Sequence, residues 1–205
     1  MDKYFAWFGL KGSLVLTALL SLSALLAAVL FPSQARLLCF LAMLMSSAGD
    51  VFLMRFPGIV RRVPNFFAVG AGCFMLAHLL YTACFGLKIR SAGHAFLNGG
   101  VVIALVIAAV CLICFTAACK NRSQLPLAIA YLLVIMVNCA TVFSYAWGSG
   151  AGSLAGWSAA VGAACFLASD LVIGLGLLVN VHRYDDLIWW LYPIGQALLI
   201  LGAGR

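Results

Sequence analysis

The chain has 205 residues, of which 66% are hydrophobic and only 8% are charged. A soluble domain carries about 25% charged residues, so this composition excludes one and predicts an all-α, polytopic bundle of transmembrane helices. The formal net charge of +7 comes from Lys and Arg between the apolar runs, as expected at lipid headgroups. We therefore do not interpret it as a nucleic-acid-binding signal.

Seven apolar runs follow one another in the chain, and each is long enough to cross a bilayer, which takes about 20 residues. The stretches between them, such as "RFPGIVRRVPN" and "GSGAGS", are rich in Pro, Gly, Asn or Ser, which end helices. We predict one transmembrane domain over 1–205 without a soluble part. The predicted spans are 13–31, 35–54, 66–87, 95–119, 125–147, 154–179 and 187–203.

The first span, preceded by Lys3 and Lys11, also fits a signal peptide with small residues at 33–35. We expect a retained helix, because its apolar run is long and another span follows directly. Eight of the 12 basic residues fall on the side of the N-terminus and the loops at 55–65, 120–124 and 180–186. The positive-inside rule then places the N-terminus in the cytoplasm. We expect the protein to lie in the plasma (inner) membrane.

Two acidic residues lie inside predicted spans: Asp50 in "SSAGDVFLM" and Asp170 in "FLASDLVIGL". An Asp at the centre of a transmembrane helix costs about 3 kcal/mol on insertion scales. Each is therefore a candidate functional residue. The structural alternative is a buried carboxyl paired with Arg or with hydroxyl groups for folding alone.

Other polar side chains occur in pairs at helical spacing within the spans. His78 and Tyr81 are three residues apart, Tyr192 and Gln196 four, and Tyr131 and Asn138 seven, so each pair shares one helix face. A rise of about 1.5 Å per residue puts them in the same half of the membrane as the two Asp residues. The sequence therefore predicts one polar cavity that opens toward the loops at 55–65, 120–124 and 180–186, with an apolar far half.

Two carboxyl groups in different environments serve as acid and base in reactions that pass through an oxocarbenium ion. The sequence leaves open which of Asp50 and Asp170 is the acid. A zinc hydrolase needs about three His or Cys ligands, and only His78 lies within a span. Cys111 and Cys114 form a CxxC inside an apolar run, where Cys behaves as a small hydrophobe. We therefore predict no metal and no other cofactor.

The segments "SSAGDVFLM", "FAVGAGCFMLAHLLY", "VGAACFLASDLVIG" and "YPIGQALLI" together resemble the YhhN family of membrane proteins, the lysoplasmalogenases. The resemblance implies hydrolysis of the vinyl ether bond of a lysophospholipid, giving a fatty aldehyde and glycerophosphoethanolamine or glycerophosphocholine. It also implies an eighth span in some members. The positions that match the family motifs are Asp50, His78, Tyr81, Ser169, Asp170 and Gln196.

The leading hypothesis is an intramembrane hydrolase with Asp50 and Asp170 as catalytic residues. Residues predicted to bind or orient substrate or water are His78, Tyr81, Tyr131, Asn138, Ser169, Tyr192 and Gln196. Arg55, Arg61 and Arg62 are candidates for the lipid phosphate, or act only as positive-inside anchors. Two alternatives remain open: a proton- or cation-coupled transporter that uses an Asp/His relay, and a lipid-binding scaffold without turnover.

Overall fold

The computed structural model describes residues 3–53, 58 and 62–204, with side chains from Val15 onward. The described residues form helices and turns and contain no strand. The main helices are α1 (Lys3–Leu30), α2 (Gln34–Leu53), α3 (Phe66–Ser91), α4 (Gly99–Ala118), α5 (Leu125–Ser149), α6 (Leu154–Gly174) and α7 (Ile188–Gly204). A π-helical turn, Leu175–Val179, continues α6.

The predicted polytopic bundle is confirmed. Among the described residues, the six helices from α2 to α7 are long and apolar enough to cross a membrane, counting the turns that extend α5, α6 and α7. The described side chains of α1 form a shorter apolar helix, Val15–Leu30. That helix packs against α2 and α7, so it is an integral part of the bundle.

The largest error in the predicted boundaries is the start of α1, which was expected at residue 13 and lies at Lys3. The start of α4 was expected at residue 95 and lies at Gly99. Asn98 caps the N-terminus of α4: its Oδ1 accepts a hydrogen bond of 2.9 Å from the Gly100 amide. Its Nδ2 donates to the main-chain and side-chain oxygens of Ser144 on α5. An N-terminal cap of this kind outweighs the apolar character of residues 95–97.

Helices α2, α3, α5, α6 and α7 form a ring in which each contacts the next, and α7 closes back onto α2. Helix α1 lies outside the junction of α2 and α7, and α4 lies outside α5. The ends alternate, so Leu53 and the described residues 62–65 share one end of the bundle with the loops at 119–124 and 175–187. This end is here called the near end. The turns at 31–33, 92–98 and 150–153 share the far end.

Small residues allow α6 and α7 to approach closely. A Cβ on Gly162 would lie 2.9 Å from the carbonyl oxygen of Gly195, and one on Gly202 would lie 2.7 Å from the Cβ of Ala159. Apolar side chains gain little by leaving lipid for protein, so van der Waals contact between backbones holds such helices together.

Both ends of the bundle carry features expected at a membrane surface. Trp147 and Trp157 are exposed at the far end, and Trp189 and Trp190 at the near end, as in aromatic belts. At the far end Lys88 Nζ donates to the carbonyl oxygen of Ala203 at 3.1 Å. This contact satisfies a terminal carbonyl of α7 and places a cation at its negative dipole end.

Candidate functional site

Asp170 lies on α6 with its side chain only 10% exposed. Its Oδ2 accepts a hydrogen bond of 2.9 Å from the Tyr131 hydroxyl on α5. The same oxygen is 3.4 Å from Nε2 of His78 on α3. The described residues form no hydrogen bond to Oδ1 of Asp170, so only one of its two carboxyl oxygens is held by hydrogen bonds.

His78 is fully buried and joins Asp170 to Asn138 on α5. The Asn138 side-chain nitrogen lies 3.2 Å from His78 Nδ1. Because an amide nitrogen only donates, this contact makes Nδ1 the acceptor and leaves the ring proton on Nε2, facing Asp170. The rings of Phe166, at 4.5 Å, and Tyr131, at 5.9 Å, hold the imidazole in place.

Asp50 belongs to a second network, between α1, α2 and α7. Its Oδ2 accepts hydrogen bonds of 2.9 Å from both the Thr17 hydroxyl and the Tyr192 hydroxyl. One turn further along α7, Gln196 Oε1 accepts a hydrogen bond of 2.5 Å from the Tyr81 hydroxyl. Among the described residues, the groups that hold this buried carboxyl are hydroxyl groups and not an Arg or a Lys.

Aromatic rings link the two networks. Phe166 packs edge-on against Tyr192, with ring centroids 5.4 Å apart, and it also contacts His78. Phe74 packs against both Phe166 and Tyr192, at 6.2 and 5.8 Å.

A groove runs into the near half of the bundle beside Asp170. It contains about 850 Å³ of empty space, part of it open to the outside, between helices α3, α4, α5 and α6. Its lining is apolar except for Asp170, Tyr131 and Thr116. The Thr116 hydroxyl donates to carbonyl oxygens of its own helix, so Asp170 and Tyr131 provide the polar surface.

The expectation of one polar cavity shared by both acids is therefore wrong. The groove is apolar, and Asp50 does not line it. The physical reason is that Phe74, Phe166 and Tyr192 fill the space that water was expected to occupy. The groove nevertheless lies in the half of the membrane in which the cavity was predicted.

The structure brings most of the predicted site residues into these two networks, but not all. Ser169 is buried, and its hydroxyl has no hydrogen-bond partner among the described residues. It does not line the groove. Arg62 is exposed at the near end, whereas Arg55 and Arg61 lie outside the described residues.

Metal ligands do not cluster in the part of the chain that the structure describes. It holds no group of three or more His, Cys, Asp or Glu side chains that could bind an ion. Cys111 is buried, Cys114 is exposed, and neither forms a disulfide.

Sequence analysis did not identify Thr17, Phe74 or Phe166 as part of the site. A single Thr in an apolar run is a weak signal, because such hydroxyls usually bond to their own helix. Phe occurs on both the lipid-facing and the buried surfaces of membrane helices, so the residue type alone does not indicate a site. Only the packing of helices against one another distinguishes these three from their neighbours.

The fold and site together define a class: a polytopic α-helical membrane protein with two buried carboxyl groups, one of them at the wall of an apolar groove. Residues 13–203 match the YhhN family, and the chain belongs to that family.

Two curated relatives, from Mycobacterium bovis and Mycobacterium tuberculosis, are both named lysoplasmalogenase. Each is 27% identical to the chain over 164 residues, which cover 78% of this chain and 58% of the relative. The chain thus spans little more than half the length of these relatives. No solved structure gives a significant match.

Proposed function

We propose that the protein is an intramembrane hydrolase that cleaves the vinyl ether bond of lysoplasmalogens. The products are a fatty aldehyde and a glycerophospho-base, either glycerophosphoethanolamine or glycerophosphocholine. The observation that carries the proposal is the Asp170 carboxyl at the wall of an apolar groove, with Oδ2 held by Tyr131. The family and the names of the two relatives support the same reaction.

The reaction begins with a proton on Asp170 Oδ1. This proton adds to the β-carbon of the vinyl ether, the double bond is lost, and an oxocarbenium ion forms at the α-carbon. Water attacks the α-carbon and gives up a proton to the Asp170 carboxylate. The resulting hemiacetal loses its bond to the glycerol oxygen, which takes the hydroxyl proton, and the aldehyde leaves. One water is consumed, and the carboxyl group returns to its starting state.

Asp50 supplies the second carboxyl of the site. The hydroxyl groups of Thr17 and Tyr192 donate to its Oδ2, and Asp50 does not line the groove. A negative charge fixed near a developing cation stabilises it in a low-dielectric environment. We assign Asp50 to stabilisation of the oxocarbenium ion and Asp170 to proton transfer, since Asp170 is the carboxyl that lines the groove.

The test is a comparison of lipids offered to the purified full chain. Lyso-vinyl-ether, lyso-alkyl-ether and lyso-acyl lipids with the same headgroup are incubated side by side, and the products are identified by mass spectrometry. We expect aldehyde from the vinyl ether and no product from the alkyl ether, which has no double bond to protonate. Release of fatty acid from the acyl lipid, without aldehyde, contradicts the proposal. Accumulation of intact lipid in sealed vesicles, without any product, supports the transporter instead.

A further inference from the structure

We propose that one water molecule is bound between α2 and α7, beside Asp50, by the side chains of Ser46 and Gln196. These three residues do not line the groove, so the binding site does not depend on the identity of the lipid. Only the use of this water in the reaction rests on the proposed function.

Ser46 is fully buried, and its hydroxyl has no hydrogen-bond partner among the described residues. Other hydroxyl groups on these helices are satisfied locally. In the described part of the chain, five of them donate to the carbonyl oxygen four residues earlier in their own helix: Ser47, Thr82, Thr116, Thr141 and Ser149. A buried hydroxyl needs a partner. Because Ser46 does not use its own helix, its position indicates a ligand from outside the helix.

Gln196 carries a second polar group without a partner. Its Oε1 accepts the hydrogen bond from Tyr81, but no described residue is bonded to its Nε2, and the side chain is fully buried. An amide nitrogen only donates. The ligand must therefore contain a hydrogen-bond acceptor.

The register of α2 and α7 brings Ser46 and Gln196 to the same level. The hydrogen bond of 2.9 Å between the Tyr192 hydroxyl and Asp50 Oδ2 joins the two helices, which run in opposite directions. Ser46 comes four residues before Asp50, and Gln196 comes four residues after Tyr192. Both therefore lie about 6 Å further toward the far end, on the faces that Asp50 and Tyr192 already share.

Asp50 supplies the third group of the site. The described residues donate only to its Oδ2, and the residue keeps 8% of its surface exposed, so a molecule as small as water reaches it. The Cα–Cβ bonds of a helix tilt toward its N-terminus. Asp50 therefore leans toward the level of Ser46, and Gln196 leans back toward the level of Asp50.

The chemistry of these three groups selects water as the ligand. A metal cation cannot accept a hydrogen bond from Gln196 Nε2, and an anion would lie against the Asp50 carboxyl. The lysolipid does not reach the site from the groove, because none of the three residues lines it. A water molecule both donates and accepts, and a buried one typically makes about three hydrogen bonds. Ser46, Asp50 and Gln196 offer that number.

This water has a consequence for the Asp50 network. Thr17 and Tyr192 hold Oδ2 of the carboxyl, and the water holds Oδ1. Both oxygens are then fixed, and so is the orientation of the carboxyl between α1, α2 and α7. In the proposed reaction, the water positions the group that we assign to stabilisation of the oxocarbenium ion.

Transfer of magnetisation from water, measured by solid-state NMR, tests the site in the full chain, in lipid bilayers and without substrate. The chain contains three Gln residues, so ¹⁵N in the Gln side chains gives a simple spectrum. Gln34 is exposed and reports contact with bulk water. Gln196→Met identifies the signal of residue 196 by its loss. We expect transfer from water to both Gln34 and Gln196.

Ser46→Val is the variant that removes the water. It replaces the hydroxyl by methyl groups, one of which occupies the position of the water. We expect transfer to Gln196 to fall to background while transfer to Gln34 stays unchanged. Thr82→Val on α3 is the matched control, because the Thr82 hydroxyl bonds to the carbonyl oxygen of His78, and it should keep both signals. Each variant is compared with the wild type on a sizing column.

Two results overturn the inference. One is the absence of transfer to Gln196 in the wild-type chain, a measurement that needs no variant to fold. The other is transfer to Gln196 that persists in a folded Ser46→Val protein. Neither result involves aldehyde release, so the proposed hydrolysis is upheld or refuted separately.

Discussion

At the scale of single residues, the site depends on how Asp170 is held. Tyr131 donates to its Oδ2 directly. His78 faces the same oxygen, and Asn138 lies behind His78. His78 and Asn138 do not line the groove, so in the proposed reaction they act through Asp170 and position it.

Replacement of Asn138 tests this positioning role. Asn138→Leu removes the contact to Nδ1 of His78, so the ring proton is no longer fixed on Nε2. We expect kcat to fall by up to about 100-fold, the cost of misplacing a reacting group by about 1 Å. KM should change little, because Asn138 does not touch the substrate. Steady-state kinetics on the purified protein measures both.

Thr141→Val is the matched control for that experiment. Thr141 is equally buried on the same helix, and its hydroxyl bonds only to the carbonyl oxygen of Val137. The control should keep the wild-type kcat. An Asn138→Leu protein with a raised KM and an unchanged kcat contradicts a positioning role.

At the scale of helices, α6 and α7 pack closely against each other. Asp170 lies on α6 and Tyr192 on α7, so this packing brings the two networks of the site together. Gly162→Ala puts a methyl group 2.9 Å from backbone atoms of Gly195 and Leu199. Backbone atoms within a helix cannot readily move away from such a contact. We expect the free energy of unfolding to fall by about 1–3 kcal/mol, the usual cost of overpacking. Thermal unfolding in detergent, followed by the loss of soluble monomer, measures the change.

Gly86→Ala provides the comparison for that measurement. It makes the same chemical change in the middle of α3, where nothing lies within 4 Å of the added Cβ. The unfolding temperature should remain the same or rise slightly, because Ala favours helix over Gly. Equal unfolding temperatures for the two variants would refute the tight contact between α6 and α7.

Helix positions are predictable from the sequence to within a few residues, because the bilayer imposes a minimum apolar length on every span. The start of α1 is the exception, since the helix begins at Lys3 rather than at residue 13. At the start of α4, the Asn98 cap is a local contact that hydropathy does not report. Helix faces are harder to predict. In lipid, buried and exposed faces are both apolar, so periodicity does not indicate which side of a helix meets which neighbour.

The site is predictable to the same limited extent. The cost of burying a carboxyl in lipid singles out Asp50 and Asp170 from the sequence alone. Their partners are a matter of packing between helices: Tyr81 pairs with Gln196 rather than with an acid, and Tyr192 reaches Asp50. These contacts join helices that are far apart in the chain, and only the three-dimensional structure shows them.

At the scale of the whole molecule, the helices α1 to α7 place the near and far ends on opposite sides of the membrane. The distribution of basic residues predicts that the near end faces the cytoplasm. In a background without the native Cys residues, we expect Arg183→Cys to react with a membrane-impermeant thiol reagent only from the cytoplasmic side. Ala151→Cys, in the turn at the far end, should react only from the opposite side. Reaction of both from one side refutes the alternation of the helices.

The same end of the molecule contains the groove, so a lysolipid is expected to enter from the cytoplasmic leaflet. An apolar groove that leads to a single carboxyl suits a substrate that is itself part of the membrane. In the proposed reaction, the whole bundle, with the aromatic rings between the two acids, holds one reactive carboxyl within hydrocarbon.

The most direct test of the account is aldehyde release by Asp170→Asn. Asn has the same shape and keeps the contact with Tyr131, but it can neither donate a proton to the vinyl ether nor accept one from water as a carboxylate does. The account predicts a fall in kcat of about 100-fold or more, the usual contribution of acid–base catalysis, in a protein that elutes from a sizing column as the wild type does and still binds lysolipid. A folded Asp170→Asn protein that releases aldehyde at the wild-type rate would contradict it.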